Sequence, residues 1–280
     1  MRCRGRQTGL KGVQIALMRP AFFEPMEGLS GCFLATNNTA GPWSQQTQHA
    51  GPPTALMVRA IENLTGLPAP GLVSRVCVEI LAPVAVGPVR VSAAIVRSGA
   101  KVALCEAELF AGDDQRPVMR MRAWVIRTLA EQLDVPRVGS EPAPGPGTPM
   151  DISEAWSTDG YLGLVEWMWV EGTFESPGPA TVWTKLLADI VPNETPSTTQ
   201  HTLAIADSAS GISAVASPAA LLFINTDLTV HLARPLVGDA IWMRAETVLD
   251  PLGVGLTTST LGDAGGPAGR GAQSLFVEPR

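Results

Sequence analysis

Residues 51–66, GPPTALMVRAIENLTG, have the pattern of a helix that packs against a sheet. Pro52 and Pro53 suit a first helical turn, where a missing N–H costs no intrahelical hydrogen bond. Apolar side chains then recur at helical spacing, and Gly66 can end the helix. The segment therefore predicts one amphipathic helix near the start of a domain.

Four strand-like segments follow this helix. They are rich in β-branched residues and are separated by Pro, Gly and Asp, which is typical of an antiparallel meander. A single helix followed by a meander indicates a sheet wrapped around a helix. The segments are SRVCVEILAPV (74–84), PVRVSAAIVRSG (88–99), KVALCEAELFAGD (101–113) and PVMRMRAWVIR (117–127).

The second half of the chain repeats this order. A helix predicted within TLAIADSASGISAV (202–215) precedes four strand-like segments that end near residue 279. The turns agree as well, since APVAVGPVRV (82–91) and ARPLVGDAIWM (233–243) both carry a Pro, a short apolar stretch and a Gly. Two meanders can look alike by chance, but the agreement of order, lengths and turns favours an internal repeat.

A Pro- and Gly-rich stretch separates the two halves. Its sequence, PRVGSEPAPGPGTP from residue 136, disfavours a helix and gives a strand nothing to bury. It predicts a linker over 136–152, between an N-terminal domain at 19–135 and a C-terminal domain at 153–280. Residues 1–18 are predicted to be a disordered tail. The predicted fold class is α+β.

Composition narrows the function classes. The 280 residues include 45% hydrophobic and 16% charged side chains, which is typical of a globular chain. The net charge of −6 and the lack of a long Lys/Arg run argue against nucleic acid as a partner. No apolar run approaches the roughly 20 residues of a membrane span. The four cysteines are scattered, so we expect reduced thiols in the cytoplasm, no metal and no cofactor.

A helix wrapped by an antiparallel sheet, occurring twice in one chain, resembles the double-hotdog arrangement of the acyl-CoA thioesterase II family. QHAGPPTALMVRAIE (48–62) is similar to the start of its first helix, and AIADSASG (204–211) to the Asp-bearing start of its second. NTDLTVHLARP (225–235) resembles its strand that leaves through Arg-Pro, and GRGAQSLFVEPR (269–280) its closing strand with a Gln. The resemblance covers nearly the whole chain after Phe22.

The resemblance implies a set of catalytic residues in the C-terminal domain. In that family an Asp, a Thr and a Gln hold the attacking water. Matching the motifs places the Asp at Asp207 and the Gln at Gln273. The third position falls on Asn225 in this chain, and the adjacent Thr226 is the alternative.

The residues themselves support part of this set. Strand alternation puts Gln273 on the same face as Leu275 and Val277, where an apolar side chain is expected. A buried amide without partners costs about 1 to 3 kcal/mol, so a bound water or a backbone partner should be present. Asp207 fits a helix N-cap as well as it fits a catalytic base.

The choice between Asn225 and Thr226 also stays open at this point. Regular alternation along 221–232 puts Thr226 on the apolar face and Asn225 on the polar face. A bulge can change which side chain faces the helix, and the family spacing prefers Asn225.

His49 and Gly51 stand at the start of the first helix. From there they could contact the thioester or the pantetheine, so both are predicted to bind substrate, although a plain turn explains them too. The chain has no GxSxG motif, which disfavours an α/β-hydrolase.

The resemblance and these residues together predict a hydrolase that cleaves acyl-CoA thioesters to free fatty acid and CoA. Two alternatives remain at the sequence level: a non-catalytic acyl-CoA binding protein and a hotdog enoyl-CoA hydratase. The hydratase normally needs an Asp and a His near one helix start, and no histidine follows closely behind Asp207. A homo-oligomer is expected by analogy, since hotdog sheets often pair at their edges.

Overall fold

The computed structural model describes residues 19–280 except 114, 132, 136–140, 153–155 and 218. The predicted tail at 1–18 and part of the predicted linker lie outside this described part.

The helices are α1 (Gly51–Glu62), α2 (Thr198–Ala206) and α3 (Ala209–Ile212). In the N-terminal half the strands are β1 (Phe23–Pro25), β2 (Cys32–Ala35), β3 (Ala40–Gly41), β4 (Ser44–Gln48), β5 (Gly71–Ile80), β6 (Gly87–Arg97), β7 (Val102–Ala111) and β8 (Met119–Arg127). In the C-terminal half they are β9 (Thr148–Pro149), β10 (Val165–Glu171), β11 (Ala180–Leu186), β12 (Leu221–Asn225), β13 (Asp227–Leu232), β14 (Ile241–Asp250), β15 (Val254–Asp263) and β16 (Gly266–Pro279).

One large antiparallel sheet contains all of the described strands except β3 and β4. From the outside to the centre, the N-terminal half has the order β2, β6, β7, β8, β5, and the C-terminal half has the matching order β11, β14, β15, β16, β13. The central strands β5 and β13 pair with each other and join the halves. The predicted antiparallel sheet with few helices is confirmed, and the same strand order occurs twice.

Helices α1 and α2 pack against each other in opposite directions. The start of α1 meets the end of α2, because a side chain built on Gly51 would lie 2.1 Å from the carbonyl oxygen of Ala204. At the other end, the carboxylate of Glu62 accepts hydrogen bonds from the side chains of Ser197 and Gln200. This antiparallel packing brings the first turn of α1 beside the residues that follow α2.

The second-half helix differs from its prediction. It begins at Thr198, because the Ser197 hydroxyl accepts a hydrogen bond of 3.0 Å from the Gln200 N–H and caps the helix. This Ser-Thr-Thr-Gln start resembles a capping box, and the sequence prediction overlooked it. The helix ends at Ala206, and α3 is only a separate turn. Asp207 therefore closes α2 as its C-cap, and the expectation that it opens a helix was wrong.

A register shift separates β12 from β13. In β12, Asn225 lies opposite Leu275 of β16, whereas in β13 Thr229 lies opposite Ala272. The pairing with β16 therefore shifts by one residue between these two points, and one extra residue is accommodated near Thr226. A shift of one residue turns the other set of side chains inward. Asn225 therefore points to the same face as buried Leu275, while Leu228 and Val230 are buried in β13.

Two smaller observations complete the fold. The two-residue strand β9 lies inside the stretch predicted as a linker and pairs with the outer strand β10. Among the described helices, none is long and apolar enough to cross a membrane.

Candidate active site

Asp207 is the centre of a buried polar cluster in the C-terminal half. Only 5% of the residue is exposed. The Asn225 side-chain amide donates to its Oδ1 at 2.8 Å. Gln273 Nε2 lies 3.5 Å from the same oxygen and donates to the Asp207 carbonyl at 3.1 Å. The structure thus brings together three of the four residues predicted to be catalytic.

Gln273 is fixed at both ends of its amide. Its Oε1 accepts a hydrogen bond of 3.2 Å from the Ser210 N–H, in α3. Because a backbone N–H can only donate, this contact settles which end of the amide is oxygen. Nε2 must then face Asp207, so Gln273 presents donors to the carboxylate and its carbonyl.

Thr226 lies on the wall of the same cavity, but its hydroxyl turns elsewhere. It lies 3.4 Å from the Ser274 carbonyl and 3.5 Å from the Asp227 carboxylate. Of the two candidates for the third position, Asn225 is therefore the one whose side chain contacts Asp207.

His49 reaches the cluster from the other half of the chain. Its Nδ1 lies 3.1 Å from Asp207 Oδ2. The imidazole stacks on the ring of Tyr161, with centroids 4.0 Å apart and planes 15° from parallel. Burial lowers the pKa of His49, and the charge of Asp207 partly opposes this effect. The stacking on Tyr161 and the contact with Asp207 hold the imidazole in one orientation.

His49 Nδ1 has two close contacts. It accepts a hydrogen bond of 3.1 Å from the Gly51 backbone nitrogen. Because a backbone N–H can only donate, this contact makes Nδ1 an acceptor, and its approach to Asp207 Oδ2 at 3.1 Å is a contact without a hydrogen bond.

Gly51 does not line the cavity. Its role visible in the structure is close approach, because a Cβ would collide with the Ala204 carbonyl and crowd His49 Nδ1 at 3.1 Å. Its predicted contact with substrate stays a prediction.

The polar cluster opens into a cavity of about 500 Å³. Asp207, Asn225 and His49 are among its polar lining residues, while apolar and aromatic side chains form most of the remaining wall. Trp43 and Trp156 pack with their ring centroids 4.8 Å apart. The volume and the few polar groups are typical of a small-molecule site. The other large apolar side chains of the wall are Ile80, Leu81, Leu162, Phe174, Leu222, Phe223 and Ile224.

Sequence reasoning missed Tyr161 and the aromatic wall. Tyr161 is buried, and its hydroxyl donates to the Ala204 carbonyl at 2.8 Å and lies 2.9 Å from the Ser208 hydroxyl. It supports both His49 and the end of α2. Tyr161 is the chain's single tyrosine, and this was the sequence feature that could have pointed to it. Its partners, however, are distant in sequence.

Comparison with known proteins identifies the family of the chain. The chain matches the acyl-CoA thioesterase N-terminal domain over residues 39–126 and the acyl-CoA thioesterase C-terminal domain over residues 137–277. Among curated proteins, no significant sequence match is found.

Solved structures show the same fold at low sequence identity. An Alicyclobacillus acidocaldarius protein of unknown function with a hotdog fold has a TM-score of 0.68 at 13% identity, covering 91% of this chain and 95% of its own. A Thermobifida fusca protein assigned as thioesterase II has a TM-score of 0.67 at 15% identity, covering 90% and 94%. An acyl-CoA thioesterase II from Mycobacterium marinum has a TM-score of 0.63 at 12% identity, covering 91% and 94%. These structures show that the fold is a hotdog fold. Because the two family models together match most of the chain, the predicted family is confirmed, and the chain belongs to the acyl-CoA thioesterase family.

Proposed function

We propose that this protein hydrolyses acyl-CoA thioesters to a free acid and CoA, and that its two halves form a double hotdog with one active site. The observation that carries the proposal is the contact of Asn225, Gln273 and His49 with Asp207 at the end of an apolar cavity. A thioester has an electrophilic carbonyl and a good leaving group. A positioned water and a base are the main requirements for its hydrolysis.

In the proposed reaction, Asp207 is the general base. A water that donates to Asp207 attacks the thioester carbon, and its proton passes to the carboxylate. The tetrahedral intermediate then collapses, the carbon–sulfur bond breaks, and Asp207 returns the proton to the departing sulfur. The products are the acid and CoA, and the protein returns to its starting state without a covalent intermediate.

The neighbours of Asp207 set its orientation. The imidazole of His49 lies against Oδ2, with Nδ1 at 3.1 Å, while the Asn225 amide donates to Oδ1 at 2.8 Å. Each carboxylate oxygen can accept more than one hydrogen bond, so the water can share an oxygen with such a donor. Gln273 keeps the end of α2 in place by donating to the Asp207 carbonyl. Fixed donors of this kind lower the barrier because they need no reorganisation during the reaction.

One observation favours a second candidate, the hotdog enoyl-CoA hydratase. The sequence argument against it was the lack of a histidine close behind Asp207. The structure supplies His49 from the other half of the chain, at 3.1 Å. An Asp and His pair is the equipment that such a hydratase uses to add water across a double bond, so the product of the reaction distinguishes the two candidates.

Product analysis separates the candidates. The purified protein is incubated with matched saturated and 2-enoyl-CoAs, and the products are measured by mass spectrometry. Hydrolysis releases free CoA and acid from both substrates. Hydration leaves the saturated compound intact and adds 18 mass units to the enoyl compound, and a binding protein changes neither. Free CoA formation that is lost in Asp207→Asn supports the thioesterase; a hydrated product without free CoA overturns it.

A further inference from the structure

Strand β12 has one edge that is not occupied by another described strand. It pairs with β16 on one side only, whereas β13, which continues the same chain segment, pairs with both β16 and β5. The last contact of β5 on this side is the Ile80 N–H, which donates to the Thr226 carbonyl at 2.9 Å. After Ile80 the chain turns away, because the Leu81 and Ala82 N–H groups both donate to Val118.

The space left between the two segments is part of the active-site cavity. Leu222 to Thr226 form one wall of this space, and Ile80 to Val84 form the opposite wall. The unpaired edge of β12 therefore begins beside Asp207, at Asn225, and continues away from it along the cavity.

The register identifies the main-chain groups at this edge. The Thr226 N–H donates to Ser274, and the Arg280 N–H donates to the Ala220 carbonyl. In an antiparallel pair, residues that exchange hydrogen bonds with the partner strand alternate with residues whose N–H and C=O groups point away from it. Residues 222 and 224 therefore bond to β16, and Phe223 does not. Consistent with this, the Val277 N–H opposite Phe223 donates away from β12, to Gly253.

We propose that the free edge of β12 binds the pantetheine arm of the acyl-CoA substrate through the main chain of Phe223. This inference rests on the proposed function. Pantetheine is an extended chain with two amides, and such chains bind sheet edges by adding a strand. With the sulfur placed at Asp207, the arm runs parallel to β12. In a parallel ladder one residue bonds to two successive amide groups of its partner. The Phe223 N–H donates to the pantoyl carbonyl, and its carbonyl accepts from the cysteamine N–H.

The length and charge of the edge agree with this occupant. From Asn225 to Leu221 the strand spans about 13 Å, at roughly 3.3 Å per residue. The extended arm between sulfur and phosphate spans about 15 Å, the length of four to five residues. At the outer end, the guanidinium of Arg280 lies 5.3 Å from the centre of the Trp43 ring. A cation is thus available at the end of the strand where the phosphates of CoA would lie.

The test uses two variants of one residue. Phe223→Ala removes the ring and keeps the N–H, whereas Phe223→Pro removes both. The lost N–H points away from β16, so Pro here breaks no sheet hydrogen bond.

Each variant is assayed with an acyl-CoA and with the S-ethyl thioester of the same acid, which has no amide. We expect kcat/KM for the acyl-CoA to be about tenfold lower in the Pro variant than in the Ala variant, as for one lost hydrogen bond. The two variants should be equal on the S-ethyl thioester. The proposal would be overturned if the two variants had equal kcat/KM values on both substrates. It would also be overturned if the Pro variant had the same deficit in kcat/KM on both substrates.

A second measurement needs neither variant nor turnover. Amide hydrogen exchange is followed in the wild-type protein with and without an S-alkyl-CoA thioether, which cannot be hydrolysed. We expect the ligand to slow exchange at Phe223 and to leave Ile224, already bonded to β16, unchanged. Hydrolysis without protection at Phe223 would refute the docking mode and leave the thioesterase function intact. Protection at Phe223 without hydrolysis of any thioester would refute the function and support the docking mode.

Discussion

The Nδ1 atom of His49 lies 3.1 Å from Oδ2 of Asp207, although 157 positions separate the two residues. The contact exists because α1 and α2 are antiparallel, so that the start of one helix lies beside the end of the other. The candidate site therefore belongs to both halves of the chain.

We expect His49→Ala to lower kcat at least tenfold, because Oδ2 of Asp207 loses the imidazole that lies against it and orients it. His49→Asn places an amide N–H near the position of Nδ1 and should recover part of the loss. Steady-state kinetics of the three proteins, with melting temperatures as a check on folding, make this comparison. Equal rates for the Ala variant and the wild type would show that the contact does not orient the base.

Asp207→Asn should reduce kcat by at least the hundredfold scale of general-base catalysis, about 3 kcal/mol in barrier. Asn keeps the shape of the side chain but cannot accept the proton. Asn225→Ala should cost less, and Asn225→Thr less again, since a hydroxyl can still donate to Asp207. A near wild-type rate for Asp207→Asn, at unchanged acyl-CoA affinity, would remove Asp207 from the mechanism.

Gly51→Ala should destabilise the fold and reduce activity together. The new Cβ would lie 2.1 Å from the Ala204 carbonyl, so the two helices must move apart and carry His49 with them. Overpacking of this kind costs about 1 to 3 kcal/mol. Gly145→Ala is the matched control, because a Cβ there meets nothing within 4 Å. Chemical denaturation of both variants measures the difference, and equal stability would contradict the close approach.

Acid should destabilise the protein through His201. This side chain in α2 is 6% exposed, and its Nε2 has no hydrogen-bond partner among the described residues. Burial lowers the pKa of His201 to about 4, against 6.5 for a histidine exposed to water. Between these values the unfolded chain binds the proton and the folded chain does not, so stability falls as pH is lowered from 6.5 to 4.

The His201 contribution is on the order of 3 kcal/mol, from the difference between the two pKa values. His201→Leu removes the titrating group and puts an apolar side chain of similar size in its place. The free energy of unfolding, measured from pH 7 to pH 4 for both proteins, should fall more steeply in the wild type. Parallel curves would show that another group causes the acid sensitivity.

Much of the fold could be predicted from local patterns. Pro52 and Pro53 mark the start of α1, alternating β-branched segments mark the meanders, and the repeated order of these elements marks the two halves. These signals are local, because helix starts, turns and alternation depend on residues a few positions apart. Gln273 was also visible, as a polar residue on an apolar strand face.

The start of α2 was missed for a different reason. The apolar segment 202–206 correctly predicts a helix, but its cap at Ser197 stands in a Ser/Thr-rich stretch that also suits a loop. Local pattern alone therefore puts Asp207 at a helix start. Asp207 lies at a helix end because residues 198–206, and not residues 209–212, form the longer helix. The longer helix is the one that packs against α1.

The sequence by itself determined helix α1, the two meanders, their repetition and the polar residues that can carry the chemistry. Only the tertiary structure decided how those residues meet. The register shift near Thr226 turns Asn225 inward, and regular alternation within one strand cannot show a shift that depends on the partner strand. The antiparallel packing of α1 and α2 joins His49 to Asp207, because contacts between elements far apart in the chain are fixed by the burial of their shared faces and not by any local pattern.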